Sequence, residues 1–121
     1  MNKLNRFIVS SLILLALDYI YLNNVKSLYT TQVVKIQHSA MKVKLLPAIV
    51  CYALLIIALN YFILRTHRPI LEAFLLGFII YGVFDATNYA IFKKWDLSLA
   101  ISDTIWGGVL FALTTYLVYS F

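Results

Sequence analysis

Charge is scarce in this chain. Of its 121 residues only 12% are Asp, Glu, Lys or Arg and 63% are hydrophobic, against roughly 45–50% apolar in an ordinary soluble domain. A water-soluble globular domain is excluded by that balance, and the short polar stretches leave no room for a second, soluble one. Cysteine is nearly missing too: the single Cys51 rules out an intrachain disulfide, and its apolar setting from Ile49 to Ala53 reads as a buried structural thiol. Both histidines, His38 and His67, fall in connections, so no two helix-borne imidazoles are offered to a haem. No Lys lies inside an apolar run, which excludes a retinal Schiff base. A TVGYG-like filter, an H-E-x-x-H zinc motif, a Walker loop and a G-x-S-x-G elbow are all missing. Tyr81 to Asp85 lacks the G-x-G-D pattern of an intramembrane aspartyl protease. No cofactor is expected, and no signature supports the third-ranked enzyme reading, in which paired carboxylates near a membrane face act as acid and base or hold a divalent metal on a lipid phosphate.

What the sequence does contain is four long apolar spans, at about 7–23, 45–64, 70–92 and 97–121, each long enough to cross a bilayer. The expectation is an all-α, multi-pass membrane protein: one up-down bundle of four transmembrane helices in contact with lipid. Span one follows a short basic lead and continues through Asp18-Tyr19-Ile20-Tyr21 with no small-residue cleavage site after it, so it reads as a retained helix and not a signal peptide. Pro47 falls in the first turn of span two, where a missing N–H costs little. The turn Arg65-Thr66-His67-Arg68-Pro69 stops that helix. The link Lys93-Lys94-Trp95-Asp96 is so short that spans three and four must form an antiparallel hairpin, with Asp96 able to cap the fourth helix. Between spans one and two, Val25, Leu28, Tyr29, Val33 and Ile36 recur at spacings of three and four, which predicts an amphipathic helix on the membrane surface.

The net charge of +5 is distributed unevenly. All ten Lys and Arg lie outside the four spans and are scattered over short connections, a pattern for headgroup contact and not for nucleic acid. The side bearing the N-terminus carries Lys3, Arg6, Arg65 and Arg68. The opposite side carries Lys26, Lys35, Lys42, Lys44, Lys93 and Lys94, which favours both termini outside. Four of the five acids lie inside the spans, where an ionisable group is costly. Glu72 sits near Arg6, Arg65 and Arg68 and reads as an interfacial ion pair.

The other three share one depth. Counting 1.5 Å per residue from the span ends puts Asp18, Asp85 and Asp103 roughly 8–10 Å below the same membrane face. Tyr81, Asp85 and Asn88 follow i, i+4, i+7 and form one polar stripe, with Gly77 on the same side to permit close helix contact. Asp103, Gly107, Leu110 and Thr114 share a face of span four, with Trp106 adjacent and its indole N–H available to a carboxylate. On span one, Ser11, Leu15, Asp18 and Leu22 align. Three ionised carboxylates so close would repel, so at least one is expected to carry a proton or to pair with a bound cation or a rim lysine. Asp85, Asn88 and Asp103 are expected to form one hydrogen-bonded cluster, faced by Asp18. Tyr19, Tyr21, Trp95, Tyr116 and Tyr119, near the span ends, read as headgroup anchors.

Two function classes fit this pattern. One is proton- or cation-linked transport, or a channel-like protein, that uses the intramembrane carboxylates and works as a homo-oligomer. The other is a structural or accessory subunit fitted against other membrane proteins, its acids serving as interhelical glue. Leu17-Asp18-Tyr19-Ile20-Tyr21-Leu22 resembles an L-D-x-x-W-L element. Phe84-Asp85-Ala86-Thr87-Asn88, followed by Trp95 and Asp103-Thr104-Ile105-Trp106-Gly107, resembles a Y-D-x-T-N…W…D-x-x-W-G element. Both elements are those of a four-helix membrane family, domain of unknown function 2177. This sequence has Tyr21 and Phe84 where the family often has Trp and Tyr. The resemblance implies four spans and singles out Asp18, Asp85, Asn88, Asp103 and Trp106. It implies no activity.

Overall fold

The computed structural model describes residues 2–37, 45–92 and 96–120, with the backbone alone for 25–37. Four helices account for nearly all of it: α1 (Lys3–Gln37), α2 (Leu45–Leu59, extended by a π-helical turn Asn60–Leu64), α3 (Ile70–Ile91) and α4 (Leu97–Tyr119). The segments Lys3–Asn24, Leu45–Leu64, Ile70–Ile91 and Leu97–Tyr119 are long and apolar enough to cross a membrane. The chain is a multi-pass integral membrane protein. One boundary differs in kind from the expectation. The backbone after Asn24 does not start a separate surface helix but continues α1 unbroken to Gln37. The side chains that carry the amphipathic pattern there, Val25 to Ile36, lie outside the described residues. So do Trp95 and the lysines of the link between α3 and α4.

Helix ends follow local chemistry. Asp96 caps α4: its Oδ1 accepts from the backbone N–H groups of Ser98 at 2.8 Å and Leu99 at 3.3 Å, satisfying donors that the first turn leaves orphaned. Pro69 immediately precedes α3, its carbonyl accepting from Glu72 and Ala73. The turn before it requires His67 at φ 51°, the one positive φ at a non-glycine among the described residues. There the His67 ring stacks on Tyr119 with centroids 3.9 Å apart, and the Tyr119 hydroxyl donates to the Arg68 carbonyl at 2.6 Å. Tyr119 therefore ties the end of α4 to the α2–α3 turn instead of reaching for headgroups. The Arg68 guanidinium meets the Glu72 carboxylate at 2.6 Å, as the spacing predicts. That hydrogen bond and the facing charge hold the arginine's pKa above its ordinary value.

The bundle is lopsided. Helix α4 is its axis, with Leu99, Ala100, Asp103, Gly107, Gly108, Leu110, Phe111, Thr114, Thr115 and Val118 all buried. Helix α3 packs along one side of it and α1 along another, while α2 leans on α1 and barely touches α3. Closeness of α3 to α4 depends on glycine. A methyl group on Gly77 would fall on the backbone carbonyl oxygen of Gly107, so the two helices cross backbone to backbone. Across the middle of the bundle, Leu14, Leu59, Leu110 and Phe111 are fully buried in one apolar layer. The outer faces remain apolar and open, as at Leu12, Leu54, Leu71 and Val83, which suits contact with acyl chains.

The buried stripe of α1 differs from the one expected. Ser10, Leu14 and Asp18 face inward at 1%, 0% and 4% exposure, whereas Leu15 and Leu22 are 41% and 39% exposed. Both sets contain Asp18, and spacings of three and four are equally helical. Packing against α4 and α2 selects the row four residues apart.

Candidate functional site

Three acids from three helices are withdrawn from the surface: Asp18 of α1 is 4% exposed, Asp85 of α3 1% and Asp103 of α4 5%. Asp85 of α3 and Asp103 of α4 stand beside one another, beyond the Gly77–Gly107 crossing, close enough for each carboxyl group to feel the other. The Thr104 hydroxyl, one residue on from Asp103, lies 3.4 Å from Asp85 Oδ2. It is already committed to the Ala100 carbonyl at 2.8 Å. Asp85 Oδ1 has no hydrogen-bond partner among the described residues.

Asp18 stands apart from that pair and is differently satisfied. Trp106 Nε1 donates to its Oδ1 at 3.0 Å, and the Tyr52 hydroxyl donates to its Oδ2. These two bonds draw α4 and α2 onto α1. Tyr21, one turn beyond Asp18, stacks on the Trp106 indole with centroids 4.6 Å apart and planes 8° apart, which fixes the ring that makes the bond. Tyr21 is therefore a packing partner of the site and not a headgroup anchor, while Tyr19 and Tyr116, 71% and 56% exposed, do face outward.

Tyr81 lies over Gly107, where even a Cβ would strike its ring. Asn88 is half-buried, and its side chain hydrogen-bonds neither Asp85 nor Asp103 among the described residues. Two participants escaped the sequence reading. Tyr52 sat in a span whose lack of charge made it look featureless, although its hydroxyl needs a partner wherever it is buried. Thr104 follows Asp103 directly, and nothing in its spacing marks its hydroxyl as a neighbour of Asp85.

A crevice of about 530 Å³ reaches this region from the side where α2 and α3 fail to meet. Its walls include Leu22, Ala48, Leu54, Leu55, Ile80 and Phe84, and Asp18, Asp103, Tyr52 and Tyr81 line it as well. Cys51 is exposed there, contrary to the buried thiol read from its neighbours. An apolar neighbourhood in a membrane span does not distinguish the core from the lipid-facing surface. A second hollow of about 420 Å³ lies on the other side of the α3–α4 seam, and Asp85 lines it. The Asp85–Asp103 pair therefore stands between two hollows, each acid facing one of them.

The chemistry open to this arrangement is narrow. Two carboxyl groups offer only acceptors to each other unless a proton or cation lies between them. Among the described residues no three His, Cys, Asp or Glu side chains are grouped to hold a metal ion. The described residues therefore offer no three-ligand site of that kind.

The comparisons with known proteins agree with the fold and are silent on chemistry. No curated protein and no solved structure matches the chain. A family model described as "Predicted membrane protein (DUF2177)" matches residues 3–120. With nearly the whole chain covered, this protein belongs to the DUF2177 family of predicted membrane proteins.

Proposed function

We propose that the protein is a small proton- or cation-linked transporter or channel-like protein, in which Asp18, Asp85 and Asp103 form the ion-handling site and Tyr81, Asn88 and Trp106 shape it. The observation that carries this reading is the burial of three acids from three different helices. Intramembrane carboxyls are costly and are retained chiefly where a proton or ion is handled. The apolar layer of Leu14, Leu59, Leu110 and Phe111 separates the site from the opposite face. Passage then requires a second conformation or a path between copies of the chain, which favours a homo-oligomer.

A competing reading draws on the same residues. Asp18 accepts from both Trp106 and Tyr52, which is what an internal fastener for an accessory subunit would do. Flux in proteoliposomes separates the two. Wild type, Asp18→Asn, Asp85→Asn and Asp103→Asn are reconstituted and monitored for proton and monovalent-cation movement. Loss of flux in variants that keep their helical content supports transport. Unchanged flux in folded variants removes it, and isolation of the protein only within a larger membrane assembly favours the accessory role.

A further inference from the structure

The α2–α3 gap has a composition that says more than its size. We infer that the crevice between α2 and α3 is a binding site for a lipophilic organic cation, a molecule with one delocalised positive charge and an aromatic or aliphatic body, admitted sideways from the bilayer. This inference rests on the reading of the acids as a ligand site and names the class of ligand.

Three observations carry it. The volume, about 530 Å³, lies within the roughly 300–1,000 Å³ common for small-molecule sites. The lining is mostly apolar, from Leu22, Ala48, Leu54, Leu55, Ile80 and Phe84, and among the described residues it includes the carboxyl groups of Asp18 and Asp103 but no Lys, Arg or His. That is the complement of a greasy cation. A small hydrated ion would lose its water to apolar walls with little in return, and an anion would face two acids. Aromatic rings of Tyr52, Tyr81 and Phe84 add faces that attract a delocalised charge. Finally, the mouth is formed by two helices that scarcely touch, with Leu54 and Phe84, 61% and 50% exposed, on opposite sides of it. Entry is thus from the hydrocarbon, where such a cation partitions, and needs no aqueous vestibule.

Asp18 has room for this role despite its two donors, because an ionised carboxylate offers about four lone-pair sites. Asp103 couples the crevice to Asp85 behind it. A cation arriving beside Asp103 offers the pair the positive charge that neither acid can offer the other.

The test uses the full chain in lipid nanodiscs and radiolabelled tetraphenylphosphonium. Saturable binding is expected in wild type. Asp103→Asn should weaken it at least about tenfold by removing the charge, and Cys51→Trp should do the same by filling the crevice with both acids intact. Neutral tetraphenylmethane should not compete. Absence of saturable binding to wild type overturns the inference. So does equal affinity in the correctly folded Cys51→Trp protein, or equal competition by the neutral analogue, since the pocket would then recognise shape alone. Parallel flux measurements keep this result distinct from the broader proposal. Proton or alkali-cation flux without tetraphenylphosphonium binding overturns the crevice and spares transport. Binding without flux of any ion, including tetraphenylphosphonium, spares the crevice and removes transport.

Discussion

Trp106, one turn inside α4 from Asp103, donates its indole N–H to Asp18 of α1 at 3.0 Å and so joins residues 88 positions apart. Because Tyr52 serves the other oxygen of the same carboxyl group, a single acid holds α1, α2 and α4 in register. Trp106→Phe should destabilise the protein by roughly 1–3 kcal/mol, the cost of stranding a buried acceptor. Tyr52→Phe should do likewise. The two losses should not add, since both act through Asp18. Unfolding of the single and double variants by a graded denaturing detergent, followed by circular dichroism, checks this. Strict additivity would mean that the two donors act independently.

The crossing of α3 and α4 allows a sharp contrast between two glycines. Gly77→Ala puts a methyl group on the Gly107 carbonyl oxygen, a backbone atom that cannot turn aside. Gly82→Ala puts one 3.3 Å from the Thr104 methyl, which a small shift relieves. The first should lower stability by roughly 1–3 kcal/mol or more through overpacking, and the second by much less. Thermal aggregation midpoints in one detergent rank the two. Equal midpoints would place the close approach elsewhere.

A second polar contact lies deeper, away from the acids. Asn60 opens the π-helical turn of α2, and its Nδ2 donates to Ser10 Oγ at 3.0 Å and to the Ile56 carbonyl at 2.9 Å. Interhelical hydrogen bonds within bilayers average only about 0.6 kcal/mol. Asn60→Ala should therefore cost roughly 1 kcal/mol, and Ser10→Ala less. Hydrogen exchange at residues 61–65 should fall in Asn60→Ala if the substitution restores regular α-helical bonding. Unchanged exchange there would show that the turn is set by its apolar neighbours.

Glu72 marks the limit of what an ion pair contributes. Its partner Arg68 and its own carboxylate are 52% and 38% exposed, and exposed pairs are well screened. Glu72→Gln should leave the unfolding midpoint unchanged within error at low and high salt alike. A salt-dependent loss would show that the pair works in a drier setting.

Some of this was legible in the sequence for a simple reason. Span length and lack of charge identify helices that can cross a bilayer, and counting residues from span ends brings Asp18, Asp85 and Asp103 to one level. The short link between α3 and α4 allows little slippage, so chain geometry alone brings Asp85 and Asp103 to similar distances from it on neighbouring helices. Rotation about each helix axis is harder to read. On α1 the rows through Leu14 and Leu15 are both apolar, and only contact with α4 and α2 selects the former. Cys51 and Tyr52 are neighbours in a featureless span, yet one opens onto the crevice and the other reaches Asp18. Nor does the sequence reveal that α2 and α3, though consecutive, scarcely touch among the described residues.

The central claim is that Asp103, with Asp85 and Asp18, takes up and gives back a positive charge inside the membrane. Solid-supported-membrane electrophysiology reads that event directly, as the transient current evoked when proton or cation concentration is stepped across reconstituted protein. Wild type and Glu72→Gln should give a saturable transient, and Asp103→Asn should give none while retaining its helical content. An undiminished transient in Asp103→Asn, or none in wild type under any proton or cation step, would contradict the account.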